Sequence, residues 1–69
     1  MRRYLIVIEK AEGNYCAYSP DLPGCVAAGD SAEETKQLML EAMEMHLKGL
    51  QEDGLPLPQP SSVAEYVTV

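Results

Sequence analysis

Residues 18–25 read YSPDLPGC, and residues 29–34 read GDSAEE. Pro20 and Pro23 each fix the backbone angle φ and remove an amide donor, so the first stretch cannot continue a central strand and forms a stiff loop. Ser31 in the second stretch is a preferred N-cap residue, so a helix is expected to begin directly after it. These two stretches therefore divide the chain into a β-rich first part and a helical second part.

Four segments have the composition of β-strands. Residues 3–10 are rich in Ile, Val, Leu and Tyr and are apolar on both faces, which predicts a strand in the interior of a sheet. Residues 14–19, 25–28 and 63–69 predict three further strands. Short turns join the first three into an antiparallel meander, and the helix then crosses over to the fourth. Placing the fourth strand beside the first gives the strand order 3-2-1-4.

The segment from Ser31 to about Asp53 has helical periodicity with one apolar stripe. Leu38, Leu40 and Met45 lie on the flanks of this stripe. A single helix covers only one face of a four-stranded sheet, and an apolar face that is left open usually marks an interface. We therefore predict an α+β fold with the element order β-β-β-α-β. It is a partial ribonuclease H-like fold with a four-stranded sheet and one helix on one face.

The composition restricts the function. A chain of 69 residues is enough for one domain, spanning residues 1–69, with a small core. Eleven carboxylates against five basic side chains give a formal charge of −6, which disfavours direct binding to nucleic acid and suits a basic partner. The apolar run at residues 4–8 is too short for a secretory signal or a membrane span. We therefore expect a cytoplasmic protein without membrane contact.

Residues that could carry catalysis are few. His46 falls within the apolar stripe, so we expect a packed side chain rather than a catalytic base. Cys25 is expected to be a small buried apolar residue. One histidine and two separated cysteines do not form a metal-binding pattern, so no metal or cofactor is expected. Two-metal nuclease chemistry needs convergent carboxylates, whereas Asp21, Asp30 and Glu65 are scattered along the chain.

The pattern PDLPGC, three residues and then GDSAEE resembles the signature of the HicB family, the antitoxin half of a bacterial toxin–antitoxin pair. The helix ending at residues 46–54, followed by prolines, is also similar to that family. This resemblance implies a protein that is not an enzyme and that binds and blocks HicA, a small basic ribonuclease toxin. It also implies a homo-oligomer, either a dimer or a tetramer. Many members continue into a DNA-binding module; this sequence ends at Val69, so we expect no such extension.

We expect the proline loop and the acidic groups near the start of the helix to contribute to toxin contact. Leu22, held between two prolines, is expected to be an exposed anchor that loses little entropy on binding. The full set of candidate toxin-binding residues is Tyr18, Pro20, Asp21, Leu22, Pro23, Asp30 and Glu33. The candidates for the oligomer interface are Leu5, Val7, Leu40 and Tyr66.

Other functions stay open. The chain could be a small oligomeric regulatory module that binds a metabolite or a metal at its oligomer interface. It could also be a solitary HicB-like protein without a toxin, or a residual nuclease.

Overall fold

The computed structural model describes residues 2–69 and contains three strands and one helix in the order β-β-β-α. Strand β1 spans Val7–Ala11, β2 spans Asn14–Tyr18 and β3 spans Val26–Gly29. Helix α1 spans Ala32–Glu52. Within the described residues the strands form one sheet in the order β1-β2-β3, so β2 is central and β1 is an edge strand.

The sheet is an antiparallel meander with a fixed register. Val7 of β1 pairs with Tyr18 of β2, which in turn pairs with Val26 of β3. Because side chains alternate across a strand, these three lie on one face of the sheet. The hairpin between β1 and β2 turns at Gly13, whose φ of 86° is a conformation that glycine adopts without steric cost.

The start of α1 matches the sequence prediction closely. Ser31 has extended backbone angles, and its Oγ accepts a hydrogen bond from the Glu34 amide at 3.0 Å. The Glu34 carboxylate accepts in return from the Asp30 amide at 2.8 Å, which is a capping-box arrangement shifted by one residue. The helix ends before Gly54, whose φ of 69° supplies the left-handed residue expected after a helix.

A small core lies between the helix and one face of the sheet, because the helix packs on all three strands. The buried apolar residues are Ala17, Leu22, Cys25, Met39 and Met43. The half-buried residues packed around them are Tyr4, Ile6, Ile8, Ala27, Ala42 and Leu47. The opposite sheet face carries the row of Val7, Tyr18 and Val26, and the last two of these are exposed. An open apolar face therefore exists, as the sequence indicated.

The predicted four-stranded sheet of order 3-2-1-4 is wrong, and with it the partial ribonuclease H-like fold. Residues 63–69 form no strand and are exposed throughout, and β1 begins at Val7 rather than at residue 3. Four hydrogen bonds from Ser61 and Ser62 to the Asp21 carboxylate hold the start of the last segment beside the proline loop. β-Propensity alone does not select a partner strand, and here no edge within the same chain receives this segment.

Candidate protein-binding surfaces

The proline loop, residues 18–25, is held by two consecutive tight turns. The Leu22 amide donates to the Ser19 carbonyl at 3.2 Å, and the Cys25 amide donates to the Leu22 carbonyl at 3.1 Å. The buried Ser19 hydroxyl also donates to the carbonyl oxygen of Leu5 at 2.8 Å, which ties the loop to the segment before β1. These bonds and the two prolines make the loop a rigid surface.

Leu22 does not have the exposure that we expected. Its side chain is 0% exposed and belongs to the core with Met39 and Met43. The expectation of an exposed anchor is therefore wrong, because the two tight turns direct Leu22 inward while Pro20 and Pro23 stay on the surface. Leu22 closes the core at the end of the sheet and is not available to a partner.

Asp21 is the residue that connects the loop to the end of the chain. Its carboxylate accepts from both the amide and the hydroxyl of Ser61 and of Ser62, at distances of 2.8 to 3.2 Å. The hydrogen bonds from the Ser62 amide and hydroxyl, followed by those from Ser61, lower the pKa of Asp21 below its ordinary value. Asp21 thus acts as a clamp on residues 61 and 62.

The other candidate toxin contacts fall into two groups. Tyr18, Pro20 and Pro23 are exposed at the loop end of the sheet. Asp30 and Glu33 are also exposed, but they follow Gly29 at the other end of β3. A strand rises about 3.3 Å per residue, so four-residue β3 separates the two groups by about 13 Å. The structure therefore presents a stiff, largely apolar patch and a separate acidic patch.

The four candidates for the oligomer interface do not form one patch. Leu5 and Val7 are half-buried, and Val7 lies on the open face of the sheet. Leu40 is exposed on the flank of α1, and Tyr66 is fully exposed in the last segment. Any interface that includes all four must therefore involve a sheet, a helix flank and the C-terminal segment together.

An apolar groove, which we call the helix groove, was not predicted from the sequence. It has a volume of about 600 Å³ and lies between α1 and the segment that precedes β1. Its lining residues are Arg2, Tyr4, Ile6, Lys36, Leu40, Met43, Glu44, Leu47, Gln51 and Leu57. The Tyr4 hydroxyl donates to the Pro58 carbonyl at 2.6 Å and so fixes the proline spacer beside this groove. In the sequence, only Leu40, an apolar residue on the flank of the helix stripe, indicated a surface at the position of the helix groove.

The structure shows the surroundings of Cys25 and His46, the two residues weighed for catalysis. Cys25 is buried, and burial raises the pKa of its thiol, which disfavours the reactive thiolate. His46 is half-buried and lines a second, shallow groove that also contains Cys25, Leu38 and Met45. Among residues 2–69, no three His, Cys, Asp or Glu side chains lie close enough together to hold a metal ion. The helix of this structure is not long and apolar enough to cross a membrane.

An open apolar sheet face and an apolar groove on a small acidic domain are surface features that indicate a protein-binding domain. The chain belongs to the family described as the HicB-like antitoxin of bacterial toxin–antitoxin systems, because the model of that family matches residues 4–69. This result confirms the family that the residues around the proline loop indicated.

Individual relatives are consistent with this family. An uncharacterized 14.9 kDa protein of Haemophilus phage HP1 is 38% identical over 64 residues, which are 93% of this chain and 48% of the phage protein. A UPF0150 protein of Helicobacter pylori is 47% identical over 49 residues, 71% of this chain and 68% of that protein. Antitoxin HicB 1 of Photorhabdus laumondii is 33% identical over 69 residues, 97% of this chain and 44% of the antitoxin. The chain thus spans slightly less than half the length of the phage protein and of this antitoxin.

Proposed function

We propose that this domain is an antitoxin that neutralises a small basic HicA-type ribonuclease by binding it, and that it is not itself an enzyme. The observation that carries the proposal is the family match over residues 4–69, supported by the antitoxin from Photorhabdus laumondii. The formal charge of −6 supports a basic partner, because complementary potentials steer association and disfavour wrong partners.

Two surfaces are proposed to meet the toxin. The exposed side chains Tyr18, Pro20 and Pro23 lie on a loop whose hydrogen bonds fix it before binding, so little conformational entropy is lost there. Asp30 and Glu33 supply exposed carboxylates about 13 Å away, a separation that one small globular partner can span. Asp21 contributes through its clamp on the C-terminal segment rather than by direct contact.

The proposal includes self-assembly into a dimer or tetramer in the cytoplasm. Among residues 2–69 only five apolar residues are buried in the core of one copy, and an apolar sheet face stays open. Small domains with so little core commonly gain stability by oligomerisation. Both cysteines are free thiols, which is the usual state in a reducing compartment. Residues 2–69 are not proposed to bind nucleic acid directly, because five basic side chains oppose eleven acidic ones.

The direct test expresses the product of the gene that neighbours this one and purifies it as the candidate toxin. The purified toxin is assayed for RNA cleavage with and without the 69-residue chain, and the complex is measured by pull-down. We expect cleavage to stop once the antitoxin reaches a stoichiometric amount. The chain alone, with added magnesium or manganese, serves as the control for nuclease activity and should leave RNA intact. Persisting cleavage together with no complex would overturn the proposal.

A matched pair of variants tests the acidic patch. Glu33→Lys and Glu52→Lys each change one exposed carboxylate of α1 to an amine, so they alter the net charge equally. Glu33 lies near the first turn and Glu52 is the last residue of the helix. We expect Glu33→Lys to weaken toxin binding by about tenfold or more and Glu52→Lys to weaken it far less. Equal losses of toxin affinity in the two variants would mean that only the net charge matters, and the assignment of Asp30 and Glu33 to the toxin interface would be wrong.

A further inference from the structure

The C-terminal segment, residues 63–69, has the sequence VAEYVTV but no structural partner. Tyr66 is 106% exposed and Val69 is 117% exposed, so these side chains touch almost nothing in their own chain. The radius of gyration is 13.2 Å, whereas a compact chain of 69 residues has a radius of about 11 Å. The segment therefore projects from the domain. Four β-branched residues and one tyrosine nevertheless give it strong β-propensity.

The helix groove has the dimensions of such a segment. One ridge of α1 forms its wall, with Lys36, Leu40, Met43, Leu47 and Gln51 at spacings of three or four residues. Fifteen residues separate the first from the last, which corresponds to about 22 Å along a helix. Seven residues of extended chain cover about 23 Å. The groove and the C-terminal segment are therefore matched in length.

A free backbone edge lies beside the groove, in the residues just before β1. Within residues 2–69, β1 pairs only with β2, and its other edge has no strand partner. The preceding residues Tyr4 and Ile6 line the groove and form no ladder with any strand. A strand added here forms main-chain hydrogen bonds to the edge and inserts alternate side chains into the groove, which is a common mode of peptide recognition.

The charges of the groove and of the segment are complementary. Arg2 and Lys36 line the groove and are two of the five basic side chains in the chain. The segment has one charged residue, Glu65, which falls on the same strand face as Val63 and Val67. That face therefore carries apolar side chains and one carboxylate, and it meets a groove of apolar side chains with two basic ones. Glu44 also lines the groove and offsets part of this attraction.

We propose that two copies of this chain exchange their C-terminal segments. Residues 63–69 of each copy add as a strand beside residues 2–6 of the other, in line with the free edge of β1, and fill its helix groove. The Asp21 clamp on Ser61 and Ser62 holds the base of each segment beside the proline loop. Two such contacts related by a two-fold axis form a closed dimer. The inference rests on the self-assembly proposed above and names the segment and the surface that produce it.

The first test is a proline in the segment. Val67→Pro removes an amide donor and fixes φ at about −65°, away from the value of a β-strand, whereas exposed Gln59→Pro makes the same change in the spacer before the clamp. Both full-length variants are measured by sedimentation equilibrium at micromolar concentration, with circular dichroism to check the fold. We expect Val67→Pro to raise the dimer dissociation constant by about tenfold or more and Gln59→Pro to leave it nearly unchanged.

The second test changes the groove. Leu40→Arg places a charge in the helix groove, and Leu38→Arg makes the same change on the other flank of α1, in the shallow groove with His46. We expect only Leu40→Arg to dissociate the dimer. A mixture of Leu40→Arg with Val67→Pro retains one intact segment and one intact groove. Mixed dimers should therefore form more tightly than the dimers of either variant alone.

The outcomes distinguish the exchange of C-terminal segments from self-assembly through any other surface. A monomeric wild-type chain at micromolar concentration would overturn both. A wild-type dimer whose dissociation constant is unchanged by Val67→Pro would leave self-assembly in place and overturn the exchange. The absence of mixed dimers between two folded variants would overturn the reciprocal arrangement. None of these three results depends on the toxin, so the antitoxin proposal is tested separately.

Discussion

Replacing Leu22 with alanine decides whether the proline loop is part of the core or an exposed anchor. Leu22 is 0% exposed and is one of the five apolar residues buried in the core of the part of the chain that the structure describes. Leu→Ala changes at such sites cost about 2–5 kcal/mol, because the lost transfer free energy adds to that of the cavity left behind. The flexible methionines Met39 and Met43 can partly fill the space, so we expect a value near 3 kcal/mol.

The consequence for so small a protein is large. At roughly 0.05–0.15 kcal/mol per residue, a 69-residue domain has a stability of about 3–10 kcal/mol. A loss of about 3 kcal/mol corresponds to a decrease in the melting temperature of roughly 12–24 °C. Thermal unfolding followed by circular dichroism at fixed protomer concentration measures this shift, since self-assembly makes the melting temperature concentration-dependent.

The exposed neighbour Pro23 supplies the control. Pro23→Ala removes a loop proline without opening a cavity, and it should change the stability by less than about 1 kcal/mol. If Leu22→Ala melted within a few degrees of Pro23→Ala but lost toxin binding, the placement of Leu22 in the core would be refuted. We expect Leu22→Ala to melt far below Pro23→Ala and to lose toxin binding only in proportion to its unfolded fraction.

Three further predictions concern the helix start and the clamp. Ser31→Ala removes the oxygen that accepts from the Glu34 amide, and it should destabilise the fold by about 1 kcal/mol in urea titration. Gly29→Ala would place a Cβ 2.8 Å from Glu34 Oε1, so we expect a loss of about 1–3 kcal/mol in the same assay; an unchanged midpoint would contradict the capping geometry. The folded-state pKa of Asp21 is lowered, so the clamp contributes stability above the ordinary aspartate pKa of about 3.9 and loses it as pH falls through the lowered value. The amide resonance of Ser62 should therefore shift on acidification in the wild type, and a similar shift in Asp21→Asn would contradict this assignment.

The sequence alone determined the helix, the presence of the first three strands and the family. Ser31 as the N-cap and Gly54 as the left-handed residue after the helix predicted where the helix begins and ends. Helix caps depend only on residues within about one turn of the helix end, so a local sequence pattern reveals them. The PDLPGC and GDSAEE segments indicated the HicB family, and the family match over residues 4–69 confirmed it. The open apolar face was predicted because a single helix can cover only one face of a sheet.

Tertiary structure alone decided what depends on contacts between distant residues. Leu22 was expected on the surface because its neighbours are prolines, but two tight turns direct its side chain into the core. The Asp21 clamp joins residues forty positions apart, which no local pattern reveals. The segment 63–69 has the composition of a strand, but a strand forms only where an edge receives it. Residues 61 and 62 are bonded to Asp21 beside the loop, and residues 63–69 after them pair with no strand of the described sheet.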